Sequence, residues 1–185
     1  MMMRTTTLAL ALAAMTACEP PEGPNTTGGK APAPAAPAAA PAAKAAPAGN
    51  RVISDSSKAS MKTILAAEGP GKKAWILSQP SNDEVAALVS SLTGVFKDAG
   101  WEVSTDTASG ISLKAGVMTL IGEEQYPPYI DAAVKALDAS GLDAKSASGY
   151  RGYYEQKKKE TPSWPGIPMR ADQDYIIVVG PRPAA

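Results

Sequence analysis

KKAWILSQPSNDEVAALVSSLTGVFKDAGWEV, from Lys72 to Val103, reads as strand, helix, strand. Trp75, Ile76 and Leu77 form a short apolar run, and Ser81-Asn82-Asp83-Glu84 then offers a helix start in which the Ser81 hydroxyl and the Glu84 carboxylate cap each other's backbone donors. Val85, Leu88, Val89, Leu92, Phe96 and Ala99 follow on one helical stripe, and Gly100 supplies the left-handed residue that closes such a helix. Trp101 and Val103 restart the chain as a strand.

The same pattern returns downstream. Val117-Met118-Thr119-Leu120-Ile121 is a second apolar run, and a helix beginning at Pro127-Pro128 carries Ile130, Ala133, Val134 and Leu137 on one face and stops at Gly141. A shift of 41 residues lays Val117 on Ile76, Ile130 on Val89, Leu137 on Phe96, Gly141 on Gly100 and Leu142 on Trp101. Two units are too few for a solenoid, and any two β-α-β units of similar length share this phase. Ahead of them, Ser54 caps a helix from Asp55 to about Ala67, which Gly69-Pro70-Gly71 ends. Behind them, Asp143 to Tyr150 reads as a polar edge strand, Arg151 to Gln173 as a long irregular stretch, and Tyr175-Ile176-Ile177-Val178-Val179 as a strand.

The runs at Trp75, Val117 and Tyr175 are apolar without alternation, the pattern of strands covered on both faces. The expectation is an α/β fold: a small three-layer sandwich with a mixed, mostly parallel sheet of four to five strands and about three helices, spanning residues 51–183. The competing arrangement is a ferredoxin-like two-layer α+β fold. The link from Thr105 to Val117 favours it, being short for a parallel crossover, which needs a dozen or more residues. The choice bears on function. Parallel strands at Trp75 and Val117 would bring Asp83/Glu84 and Glu123/Glu124 to one edge; antiparallel strands would separate them.

Composition excludes several kinds of chemistry. The formal net charge is zero, which gives no electrostatic reason for nucleic-acid binding. Histidine is absent, removing the usual neutral-pH proton carrier and the commonest transition-metal ligand. One cysteine, Cys18, rules out an internal disulfide and a Cys-rich metal site. The turn after the first strand, Ser78 to Glu84, has no glycine and carries two carboxylates where a phosphate would sit, and no GxGxxG or Walker-type sequence occurs elsewhere. No nucleotide and no cofactor is expected.

Residues 1–17 have one positive charge, Arg4, an apolar run from Leu8 to Met15 and small residues before Cys18, the layout of a cleaved export signal too short to span a bilayer. Met15-Thr16-Ala17-Cys18 resembles the lipobox of bacterial lipoproteins, although Met15 stands where leucine is usual. The resemblance implies that the Cys18 thiol carries diacylglycerol, with acyl chains such as palmitate, and becomes the new N-terminus. Glu19 follows, not the aspartate that retains some lipoproteins at the inner membrane, so the resemblance points to the outer membrane. Residues 18–50 then hold the lipidated cysteine and an Ala/Pro-rich spacer. Repeated proline keeps such a chain extended and solvated, at about 3.1 Å per residue, for a reach of roughly 100 Å.

The layout AWIL, DAGWEV, GVMTLI and the tail Val179-Gly180-Pro181-Arg182-Pro183 is similar to a family of bacterial membrane-tethered domains ending in VG-P-[KR]-P. That likeness implies a tethered envelope domain and brings no activity or catalytic residue with it.

Two groups remain as candidate sites. Glu123 and Glu124 follow a central strand and could hold a cation or act as an acid/base pair, although acidic residues near a helix start also simply complement its dipole. Tyr150, Arg151, Tyr153, Tyr154, Lys157, Lys158, Lys159 and Trp164 interleave aromatics with cations, a combination that stacks on sugars or peptides and pairs with anions. The reading that follows is a lipid-anchored, non-enzymatic envelope protein that binds a cell-wall polymer or another envelope protein. The reading from another class is a histidine-independent, hydrolase-like enzyme using Asp/Glu, Ser or Lys.

Overall fold

The computed structural model describes residues 51–79 and 83–184. The export signal, Cys18, the spacer and the Ser81 half of the capping box lie outside the described residues. Helix α1 (Asp55–Ala66) begins as the sequence dictates, with Ser57 N–H donating to the Ser54 hydroxyl at 3.1 Å. Strand β1 (Lys73–Ser78), helix α2 (Asp83–Asp98) and strand β2 (Glu102–Thr107) form the first unit; β3 (Val117–Ile121), α3 (Pro128–Ala139) and β4 (Lys145–Ala147) form the second. Gly100 and Gly141, the matched helix ends of the two units, both have positive φ, 85° and 77°. Helix α4 (Tyr150–Glu160) and strand β5 (Tyr175–Val179) complete the domain.

The sheet order is β2-β1-β5-β3-β4. β1 is parallel to β2 and to β5, β3 is parallel to β4, and the β3/β5 pair alone is antiparallel. This is the mixed, mostly parallel α/β sheet that the non-alternating strands predict. The two units run in opposite directions and step outward from β5 to opposite edges. With right-handed crossovers, that two-fold arrangement puts α2 and α3 on the same face. α1 packs against both of them and closes that face. The core is here: Met61, Leu65, Val85, Leu88, Leu92, Phe96, Ile130, Leu137 and Ile177 are almost wholly buried. Edge-to-face ring contacts join Phe96, Trp101, Tyr129 and Tyr175 along one margin of the core, and the Trp101 indole N–H donates to Leu65 O at 3.1 Å.

Antiparallel β3 resolves the short connection that favoured a two-layer ferredoxin-like fold. Residues 108–116 need no crossover, because they run across the ends of β1 and β5 to reach β3. Ala108 N–H donates to Ser78 O, Leu113 N–H to the Gln79 side chain and Gly116 N–H to Pro181 O, marking the path. Consequently Glu84 and Glu123/Glu124 lie at opposite ends of the sheet.

The stretch Arg151 to Gln173, read from sequence as irregular, opens with α4, and this is a correction. The helix has no aliphatic stripe, no side-chain N-cap and no fully buried residue; its inner face is made of tyrosines instead. It packs on β3, on the sheet face away from the other three helices.

Candidate functional site

Because strands alternate their side chains, Met118, Leu120, Ile176 and Val178 share the α4 side of the sheet, in mutual register. α4 covers this side incompletely. Between it, the 108–116 loop and residues 164–167 lies an open groove of about 780 Å³ that follows β3 from Lys114 and Ala115 at one end to Glu124 and Gly149 at the other. Met118, Leu120, Val178 and Leu113 give it an apolar floor, with Tyr150, Tyr153 and Trp164 as aromatic walls. Its volume falls within the range of small-molecule pockets, about 300–1,000 Å³.

The tyrosines reach the groove because their spacing is helical. Tyr150, Tyr153 and Tyr154 sit at i, i+3 and i+4 of α4, with Tyr150 6.3 Å from each of the other two rings. Trp164 returns after the helix to meet Tyr153 at 5.6 Å, nearly perpendicular, and Tyr154 at 5.7 Å. Its indole lies flat enough on Gly166 that a β-carbon there would collide with the ring. Tyr150 anchors the wall: Ile167 N–H donates to its hydroxyl at 2.9 Å, and burial pushes the phenol pKa up despite that amide, so it remains a neutral O–H. Tyr153 is the exposed ring, at 49% of its full area.

The cations divide by role. Lys157 lies over the Tyr153 ring at 5.9 Å and pairs with Glu160 at 2.6 Å, which raises the lysine pKa and lowers that of the carboxylate. Lys158 lies over Tyr154 at 5.9 Å and donates to Pro162 O. Lys159 faces solvent. Arg151 points away from the aromatics. Its guanidinium donates to Glu123 at 2.8 Å, to Gln173 O at 3.0 Å and to Arg170 O at 3.3 Å, clamping the start of α4 to the segment before β5. Of the residues proposed from sequence, Tyr150, Tyr153 and Trp164 line the groove, with Lys157 and Lys158 stacked on the tyrosine cluster; Arg151 holds the frame.

Glu123 and Glu124 diverge. Glu123 pairs with Arg151, whereas Glu124 lines the groove and accepts from the Ser148 hydroxyl at 2.9 Å. Among the described residues no group of three or more His, Cys, Asp or Glu is placed to hold a metal ion. Asp83 is exposed in the first turn of α2. Leu113, Lys114, Met118, Leu120 and Val178 were not proposed from sequence. The available signal was the apolar run 117–121 itself, since a strand that is apolar on both faces needs cover on both.

A second, smaller crevice of about 270 Å³ lies beside the groove across Ile111 and Ile167, with the exposed Arg170–Asp106 pair at 3.3 Å on its rim. Among the described residues no helix is long and apolar enough to cross a membrane. Compared with family profiles, with curated proteins and with solved structures, the chain finds no match.

Proposed function

We propose that this chain is a lipid-anchored protein of the bacterial cell envelope, held at the outer membrane through Cys18 and an Ala/Pro spacer, whose α/β domain is a non-enzymatic binding module. The anchor rests on the export signal and on the position of the only cysteine directly after Met15-Thr16-Ala17. The observation that carries the binding role is the groove along β3: an open, apolar-floored channel walled by three aromatic side chains on a face that α4 covers only in part. Apolar floors with a few polar groups at the margin suit ligands bound by surface burial and stacking. Cell-wall polymer and segments of other envelope proteins are envelope ligands on which such aromatic walls can stack.

A photo-crosslinking amino acid in place of Tyr153, in the full chain expressed in a bacterial envelope, tests the site. Adducts are expected from that position and not from Lys62 on the opposite, helical face. Equal yields from both positions, or none from Tyr153, would remove the groove. Mass spectrometry of the membrane-extracted protein tests the anchor, where a diacylglyceryl-modified Cys18 at the N-terminus is expected and an intact Met1 with a free thiol would overturn it.

One contact favours the hydrolase-like alternative, the Ser148–Glu124 hydrogen bond at the groove wall. Both side chains are exposed, and the bond ties the turn before α4 to the end of β3. If the pair were catalytic, turnover of ester or amide substrates would be measurable and would vanish in Ser148→Ala. The binding reading expects Ser148→Ala to keep its groove ligand.

A further inference from the structure

We infer that the groove receives an extended peptide segment of a partner protein, which adds to the sheet as a sixth strand along β4 and sets alternate side chains beside Ala147, at the rim of the aromatic channel. This rests on the groove being the binding site and names what fills it.

The first observation is the sheet edge. β4 pairs with β3 on one side, and among the described residues nothing pairs with its other side. Lys145, Ser146 and Ala147 are all exposed, so a row of backbone donors and acceptors faces outward, the template that an incoming strand extends. Among the described residues no proline, bulge or covering loop blocks such pairing; the strand's three-residue length and Lys145 are what limit it.

The second observation is what lies beside that edge. Lys145 is in register with Met118 and Ala147 with Leu120, so both β4 residues face the groove side of the sheet. Ala147 itself lines the groove, followed by Ser148 and Gly149. The rim between the open edge and the channel is therefore low, made of Ala147, Ser148 and Gly149, with the Ser148 hydroxyl turned to Glu124. A side chain from an added strand stands beside Ala147, about 4.8 Å across the sheet, and borders the channel at that rim. β4 sets the paired length, three residues at about 3.3 Å each or close to 10 Å, while the channel beside it follows the five residues of β3.

The third observation is charge. Lys114 stands at the end where β3 starts, and Lys145 opens β4 at the same end, paired to Asp143 only across exposed surface at 2.7 Å. Glu124 stands at the other end. A segment with an acidic residue toward Lys114 and Lys145 and a basic one toward Glu124 complements this polarity. Laid antiparallel to β4, such a segment reads base first and acid last.

The probe is a blocked seven-residue peptide with lysine first, valine at positions two, four and six, threonine at three and five, and aspartate last. It carries a fluorescein label and is titrated with the full chain by anisotropy. Two analogues are methylated on backbone nitrogen, one at the valines and one at the threonines. In a strand, alternate N–H groups point to opposite sides, so one analogue is expected to bind at least about ten-fold more weakly and the other like the parent. The Ala147→Arg variant, which raises the rim, is expected to lose binding while its thermal unfolding stays that of the parent, since residue 147 is exposed. Equal binding by both analogues, or no binding of the parent peptide up to millimolar concentration, would overturn strand addition. Should soluble cell-wall glycan fragments perturb Trp164 emission while the peptide does not bind, this inference falls and the groove itself stands.

Discussion

Arg51 is the first residue of the described domain, and replacing it with alanine should loosen the whole of it. The guanidinium meets Glu84 in a two-point pair, Nε to Oε1 at 2.6 Å and Nη2 to Oε2 at 2.8 Å, and Nη2 also donates to Gly180 O at 2.8 Å. Both side chains are only 11% exposed. The contact ties the residue that enters the domain to the first turn of α2 and to the residue that leaves β5. Deleting one partner of a fully buried pair costs about 3–5 kcal/mol, because the other charge stays behind in a poor solvent. Here the cost is reduced. The α2 N-terminus still favours the Glu84 carboxylate by about 0.3–1 kcal/mol, and a residue at the domain boundary lets water in. Arg51→Ala should therefore lose about 2–3 kcal/mol at pH 7, a large part of the roughly 5–15 kcal/mol that holds a domain together.

The pH dependence separates this pair from general damage. The Arg51 guanidinium holds the Glu84 carboxyl below its ordinary value. A depressed folded-state pKa contributes stability that is fully present above the unfolded value, about 4.3 for glutamate, and is lost as pH falls through the folded value. The gap between parent and Arg51→Ala in urea denaturation should be widest near neutrality and shrink below pH 4. A double-mutant cycle with Glu84→Ala should return a coupling of about 2 kcal/mol at pH 7. A coupling under about 0.5 kcal/mol, the value of an ordinary surface pair, would refute the argument.

Three further outcomes follow from the geometry around the groove. Gly149 has φ 68° and a β-carbon there would strike the Glu124 side chain, so Gly149→Ala should lose about 1–2 kcal/mol by denaturant titration, and Glu124→Ala in the same chain should return the steric part of it. Gly166→Ala should push the Trp164 ring off its seat, seen as a red-shifted tryptophan emission with a loss of about 1–3 kcal/mol, because Trp75 and Trp101 remain buried and report no change. Leu92→Ala, in the core between α2 and the sheet, should cost about 2–5 kcal/mol, whereas Met118→Asp on the partly buried groove floor should cost about 1–3 kcal/mol and abolish ligand-induced shifts in Trp164 emission.

How far the sequence could be read depended on whether the signal was local. The unit from Lys72 to Val103 was legible because Val85, Leu88, Leu92 and Phe96 mark a stripe that only a helix can bury, and Gly100 marks its end. The Ser54 cap and the second unit were legible for the same reason. Strand order was not, because nothing in Tyr175 to Val179 says that this strand enters between β1 and β3, parallel to one and antiparallel to the other. That pairing joins residues far apart in sequence, and it is what moved Glu84 and Glu124 to opposite ends. α4 escaped because its face is aromatic, with a glycine inside it and cations around it, although the i, i+3, i+4 tyrosines carried the period. Half of the site was visible as Tyr150, Tyr153 and Trp164; the floor was hidden in a strand read only as core.

The two faces of this sheet divide the work of the domain, and the division explains where the groove sits. α1, α2 and α3 seal one face with side chains at or near zero exposure, and a close-packed core of that kind tolerates little change. The other face is roofed by a helix with no fully buried residue and by two loops, 108–116 and 161–174. A roof that contributes little burial can leave a channel open without unfolding what lies beneath it. Arg151, by donating to Glu123 and to the carbonyls of Arg170 and Gln173, fixes the first turn of α4, the turn from which Tyr150 and Tyr153 line the groove. The sealed core and the open groove thus rest on different side chains of the same five strands. Met118 and Thr119, one residue apart, belong to opposite sides of that division.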